Sequence, residues 1–136
     1  MPSNTKIAVA VREDLAVWQK LNVTAFLSSG IAHERPETMG KPYEDASANT
    51  YLPMFGEPVM VYAADARTLA RTLNRARSRE LATALYTEQL FATDNDDDNR
   101  AAVLAVAADD LDLVGVAVHG PRADVDKVVR GLRLHP

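Results

Sequence analysis

The sequence predicts an α/β fold with three layers, α/β/α, around a mixed, mostly parallel sheet of four strands. Apolar runs rich in valine, isoleucine and alanine, which are typical of strands buried on both faces, alternate along the chain with segments of helical periodicity. This alternation favours strands of one direction between two layers of helices. The length of 136 residues and the hydrophobic content of 47% suit one core, so a single domain is predicted over residues 1–136.

The amino-terminal half contains the first strand and a long helix. The strand is predicted over Lys6–Val11 and the helix over Leu15–His33. Asp14 is expected to cap the helix with its carboxylate, and Pro36 ends it because proline disfavours a helical residue directly before it. Residues 37–57 combine mixed polarity with several prolines and glycines, which predicts a long surface loop of the kind that often carries function.

The later elements continue the alternation of strand and helix. Strands are predicted over Pro58–Ala63, Leu81–Thr87 and Leu111–Val118, and helices over Ala66–Arg79, Asn99–Ala107 and Arg122–Gly131. Asp65 is placed to cap the first of these helices. The carboxylates of residues 94–98 favour the amino-terminal end of the second, because they complement the helix dipole.

Composition excludes several classes of function. The chain has no cysteine, which excludes disulfides, thiolate nucleophiles and cysteine-ligated zinc. No apolar segment approaches the ~20 residues of a membrane span and no signal peptide is recognised, so a cytoplasmic protein without membrane contact is predicted. The formal net charge of -4 argues against RNA as a partner, because the summed field repels a phosphate backbone.

One basic ridge departs from this acidic balance. Arg67, Arg71 and Arg75 recur at four-residue spacing on one helix face. A phosphate-bearing partner could dock on such a ridge. However, no aromatic residues interleave with the arginines, and a solvated helix face is the plainer interpretation.

A line of polar residues on the long first helix is the strongest candidate site. Lys20, Thr24 and Ser28 lie one turn apart among apolar residues, and a lysine in such surroundings must reach solvent, a ligand or a partner. Glu88 follows the third strand, where loops at the carboxyl ends of parallel strands converge on ligand sites. Lys20 and Glu88 are therefore predicted as a catalytic pair that holds a water or polarises an ester carbonyl. An ion pair at the sheet edge is the structural alternative.

Thr24, Ser28, Thr93 and His119 are predicted as ligand-binding positions. The hydroxyls would lie near Lys20, although small hydroxyl residues on a helix commonly bond back to the backbone. His119 ends a strand just before a glycine, where a ligand could meet it. The aspartates of residues 94–98 lack the glycine and glutamate of a calcium loop, and the three histidines are scattered, so no metal and no cofactor are predicted.

Four segments in the same order resemble the type-two peptidyl-tRNA hydrolase fold. They are Val9–Leu15, Gly56–Val61, Asp65–Leu81 and Gly120–Leu134. The resemblance covers most of the chain. It implies the peptidyl-tRNA hydrolase II fold, with a pocket between the first helix, the loop after Thr87 and the loop before Pro58.

The resemblance also places functional residues. Lys20 matches that family's lysine, Glu88 falls where its aspartate is expected, and Thr93 matches its threonine if the loop is shifted. Residues 24–25 and 27–29 stand where the family has its glutamine and histidine. The resemblance therefore implies a shared pocket rather than shared chemistry.

Residues 18–27 are similar to an uncharacterised bacterial family of this fold, the domain of unknown function two thousand. That similarity carries no activity with it. Three functions stay open: binding of an unidentified small molecule, hydrolysis of an ester such as peptidyl-tRNA by Lys20 and Glu88, and assembly of a homodimer through the long loop.

Overall fold

The computed structural model describes residues 4–136, which form three layers and confirm the α/β class. The strands are β1 (Thr5–Arg12), β2 (Tyr43–Glu44), β3 (Thr50–Tyr51), β4 (Val59–Ala64), β5 (Ala82–Thr87), β6 (Leu113–Pro121) and β7 (Arg133–Leu134). The helices are α1 (Val17–Glu34), α2 (Ala66–Ser78), α3 (Asp96–Leu104) and α4 (Arg122–Val128).

The main sheet has five strands in the order β5–β6–β1–β4–β7. Among the described residues only β1 and β4 pair in parallel; β6 runs antiparallel to β1 and β5, and β7 antiparallel to β4. The predicted sheet of four mostly parallel strands is therefore wrong in count and in direction. Residues 113–120 are buried throughout, and burial on both faces produces a continuous apolar run whichever way the strand points.

Helices cover the two faces of the sheet unequally. α2 and α4 pack on one face, and α1 packs on the other, where Val23, Leu27 and Ile31 are buried. α1 lies over β5, β6 and β1. It therefore leaves the neighbouring face of β4 partly open, and Val59 at the start of β4 is 36% exposed.

The helix caps show which local predictions were sound. Asp65 accepts a hydrogen bond from the Thr68 N–H at 2.8 Å and caps α2, as predicted. Asp14 does not cap α1, because the helix begins later, at Val17; the Gln19 side chain accepts from the Ala16 N–H at 3.0 Å instead. α3 also begins earlier than predicted, so the aspartates of residues 96–98 form its first turn.

The predicted surface loop at residues 37–57 contains the small β2–β3 hairpin, and residues 40–52 are all exposed. Two backbone hydrogen bonds of 2.7 Å close its base, from the Gly40 N–H to the Met54 oxygen and from the Gly56 N–H to the Thr38 oxygen. Within residues 4–136, none of the helices combines the length and the apolarity that crossing a bilayer requires.

Candidate functional site

Lys20 lies near the start of α1, on the flank that faces β4. Its side chain is half-buried and forms no ion pair with any of residues 4–136. α1 covers β5, β6 and β1, so the flank of the helix that carries Lys20 lies next to β4. An unpaired ammonium group therefore stands beside the open face of β4.

This part of the molecule forms a hollow of about 400 Å³, here named the Lys20 hollow. Thr24 and Ser28 follow Lys20 at one-turn spacing and line the same hollow. The other lining residues are Val11, Val17, Leu21, Ala25, Val61 and His135. The walls are mostly aliphatic, and the polar groups are few, as in small-molecule sites of proteins.

His135 is the lining residue that the sequence interpretation missed. β7 pairs with β4 over only two residues, and the His135 N–H then donates to the Val61 oxygen at 2.9 Å, which carries the ring to the hollow. Its Nδ1 lies 3.2 Å from the Pro136 main-chain oxygen, whereas its buried Nε2 has no hydrogen-bond partner. A two-residue strand is too short to leave a periodic signal in the sequence.

Glu88 does not meet Lys20. Its carboxylate binds the Arg12 guanidinium at 3.0 Å, and Arg12 also binds Asp14 at 2.7 Å and Asp112 at 3.1 Å. Burial lowers the pKa of Arg12, but its hydrogen bond and attraction to these carboxylates outweigh burial, so the pKa lies above its ordinary value. The expected Lys20–Glu88 pair is therefore absent, and Glu88 ties β5 to β1.

The other predicted hydroxyl groups are mostly engaged by the backbone. The Thr24 hydroxyl donates to the Lys20 oxygen at 2.8 Å. The Thr93 hydroxyl is hydrogen-bonded to the Leu90 oxygen at 3.0 Å and to the Asn99 side chain. Ser28 forms no hydrogen bond through its hydroxyl to residues 4–136, so it is the hydroxyl of this set that is free to meet a ligand.

His119 lies away from the Lys20 hollow, inside the protein at the base of the long loop. Its Nε2 is 2.9 Å from Glu57 Oε1, and the two side chains are only 6% and 9% exposed. The ring is not oriented for a directed hydrogen bond to the carboxylate; Thr5 donates to that carboxylate at 3.0 Å. Because the His119 ring faces the buried Glu57 carboxylate, we assign it a structural role.

A second depression, here named the α3 cleft, occupies the opposite flank of α1. It holds about 560 Å³ between α1, β5 and α3, and its walls include Phe26, Tyr86, Leu90, Val103 and Leu104. An adjoining part reaches the turn after β5, where Thr93 lies. The single pocket expected between the first helix and the loop after Thr87 is thus divided by α1 into two, with Lys20 and Thr93 on different sides.

The predicted arginine ridge lies on α2. Arg67 and Arg71 are exposed on α2, and Arg75 donates to the Arg130 oxygen at 3.0 Å. Within the described chain no carboxylate lies at salt-bridge distance from these three, although the charges of Arg67 and Arg71 attract the Asp65 carboxylate. Over residues 4–136 no group of histidine, aspartate or glutamate side chains is arranged to hold a metal ion.

Comparison with known proteins identifies a family and several similar solved structures. The sequence model of a family described as "Protein of unknown function (DUF2000)" matches residues 5–136. A solved structure described as a protein of unknown function from Agrobacterium tumefaciens is 44% identical in sequence and has a TM-score of 0.96. The alignment covers 98% of this chain and 99% of that chain. None of the curated proteins matches the sequence.

Proposed function

Since the chain belongs to the DUF2000 family of proteins of unknown function, we propose its role from its own geometry: it binds a small molecule in the Lys20 hollow. The observation that carries this proposal is an unpaired, half-buried ammonium group at the wall of an aliphatic hollow of about 400 Å³. Such a charge gains little from packing alone, and the volume lies in the range of small-molecule sites.

Binding is better supported than catalysis. The hydrolase predicted from the sequence needs Glu88 and the Thr24 hydroxyl beside the Lys20 ammonium group, but Glu88 is held by Arg12 and the Thr24 hydroxyl is bonded to the backbone. Lys20 and Glu88 are not in contact, so the structure does not support hydrolysis of peptidyl-tRNA or another ester by this pair. From the sequence we also propose that the chain is related to the peptidyl-tRNA hydrolase II fold and that the protein is cytoplasmic.

Nuclear magnetic resonance with a small fragment set tests the proposal. Apolar fragments with one polar group should shift the amide signals of Val17, Leu21 and Val61, which line the hollow. Val103 and Leu104 on α3 serve as reporters of the α3 cleft. Fragments that shift only the α3 signals, or none at all, would refute the Lys20 hollow as the binding site.

Self-association is a second candidate role, favoured by the exposed apolar side chains of the long loop. Tyr43, Tyr51, Leu52 and Met54 are 48%, 54%, 85% and 61% exposed, and patches of this kind often mark contacts between proteins. Sedimentation velocity at micromolar concentration tests the homodimer. Leu52→Asp should dissociate it, whereas Leu134→Asp, at another exposed leucine, should not.

A further inference from the structure

We infer that the ligand of the Lys20 hollow is an apolar hydroxycarboxylate, whose carboxylate binds Lys20 and whose hydroxyl donates to His135. The inference rests on the proposed function and names the ligand class for that site. It follows from the donors and acceptors that the hollow leaves unsatisfied and from the character of its walls.

The ammonium group of Lys20 favours an anionic group on the ligand. It is half-buried, without a carboxylate partner in residues 4–136, and α1 carries no acidic residue in its first turn. The positive end of the helix dipole therefore adds to the lysine charge at this end of the hollow. Apart from the His135 ring, Lys20 is the one basic side chain among the lining residues. A single carboxylate therefore suffices to neutralise it.

His135 calls for a donor. The Pro136 oxygen can only accept, so the contact at 3.2 Å is a hydrogen bond in the tautomer that carries its proton on Nδ1, and we assign this tautomer to the ring. Nε2 then carries a lone pair that is buried and unpartnered, and a buried acceptor without a donor is costly. A ligand hydroxyl supplies that donor, and the free Ser28 hydroxyl, which lines the same hollow, can donate to a ligand oxygen.

The aliphatic walls of the hollow favour a ligand with an alkyl chain. Val17 and Leu21 are 71% and 68% exposed although they border the hollow together with Val61. An alkyl chain laid along them would remove this surface from water. Each methylene that is buried should tighten binding by up to about fourfold, as the transfer of one such group predicts.

Calorimetry with matched ligands tests the assignment, with 3-hydroxyoctanoate (each enantiomer), 2-hydroxyoctanoate, octanoate and 1-octanol as probes. One hydroxyoctanoate should bind about tenfold more tightly than octanoate, because it satisfies a buried acceptor. Octanoate should in turn bind more tightly than octanol. Equal affinity of hydroxylated and plain octanoate would overturn the role of His135, and equal affinity of octanoate and octanol that of Lys20.

Calorimetry on variants shows which side chain causes the preference for the carboxylate and which causes the preference for the hydroxyl. Lys20→Met should remove the advantage of octanoate over octanol, and Lys127→Met, at an exposed lysine on α4, should leave it unchanged. His135→Phe should remove the preference for the hydroxyl, and His135→Gln, whose amide oxygen also accepts, should restore part of it. A preference that survives His135→Phe refutes the assignment.

The outcomes separate this inference from the proposed function. Binding of octanol and octanoate in the hollow with equal affinity would keep a small-molecule site and reject the ligand class. If neither these probes nor neutral fragments perturb the hollow's signals, both are refuted.

Discussion

Gly115→Ala tests how closely α1 lies against the sheet. A Cβ built at this position of β6 lies 2.5 Å from Val23 Cγ1 and 2.9 Å from Leu27 Cδ1. Carbon atoms pack at about 3.5–4.0 Å, so α1 must rise by roughly 1 Å or both buried side chains must leave their rotamers. Overpacking of this kind costs about 1–3 kcal/mol.

The assay is thermal and urea unfolding followed by circular dichroism. For a chain of this size, the expected loss corresponds to a fall in Tm of about 3–10 °C. Gly120→Ala is the matched control: its Cβ would meet Leu81 Cδ2 at 2.7 Å. That atom is the flexible end of a partly buried side chain, so the loss should be clearly smaller.

An unchanged Tm for Gly115→Ala would refute the close packing. Alanine in place of glycine also restricts the unfolded chain, which by itself favours folding, so without the clash the variant should be at least as stable as the parent. Because Val23 and Leu27 hold α1 over the sheet, the same variant should also weaken ligand binding in the Lys20 hollow, measured by calorimetry.

Three further predictions concern side chains outside the hollow. Glu57→Ala should lower the free energy of unfolding by about 2–4 kcal/mol in urea titrations, because it leaves the buried His119 without its carboxylate. The control is Glu37→Ala, in the exposed loop, which should change the free energy of unfolding by less than about 0.5 kcal/mol. Tyr51→Phe should raise the pKa of Asp45 from about 2 toward 3.8 in a carbon-detected pH titration, because the tyrosine hydroxyl is the strongest of the hydrogen bonds that lower it; an unchanged value would contradict that cause. Hydrogen bonds from Thr68 lower the pKa of Asp65 below 3.8, so the stability it adds is present above that pH and is lost as the pH falls through the lower, folded-state pKa. The Tm difference between the parent and Asp65→Ala should therefore shrink from pH 7 to pH 2, and a constant difference would count against an ionised cap.

Local chemistry made part of the fold predictable. Asp65 caps α2 within three residues of itself, and the long, mostly apolar run that ends before Pro36 marks α1. Both depend on neighbours in sequence, so they can be read without knowing the rest of the molecule. The one-turn spacing that lines Lys20, Thr24 and Ser28 along the hollow is local in the same sense.

Tertiary structure alone decided the direction of the strands and the partners of the charged groups. β6 pairs with β1 and β5 in the antiparallel sense, yet its buried apolar run reads the same in either direction. Glu88 could be placed after β5, but its partner Arg12 is 76 residues away, and only the packed sheet brings the two together.

The hollow shows the same division. The sequence by itself determined that α1 presents a lysine among apolar side chains, since helical periodicity orders residues along one face. Tertiary structure brought His135 to that lysine through a two-residue strand pairing and set Glu88 apart from it. Contacts between residues distant in sequence depend on how the layers pack, and no local pattern records that packing.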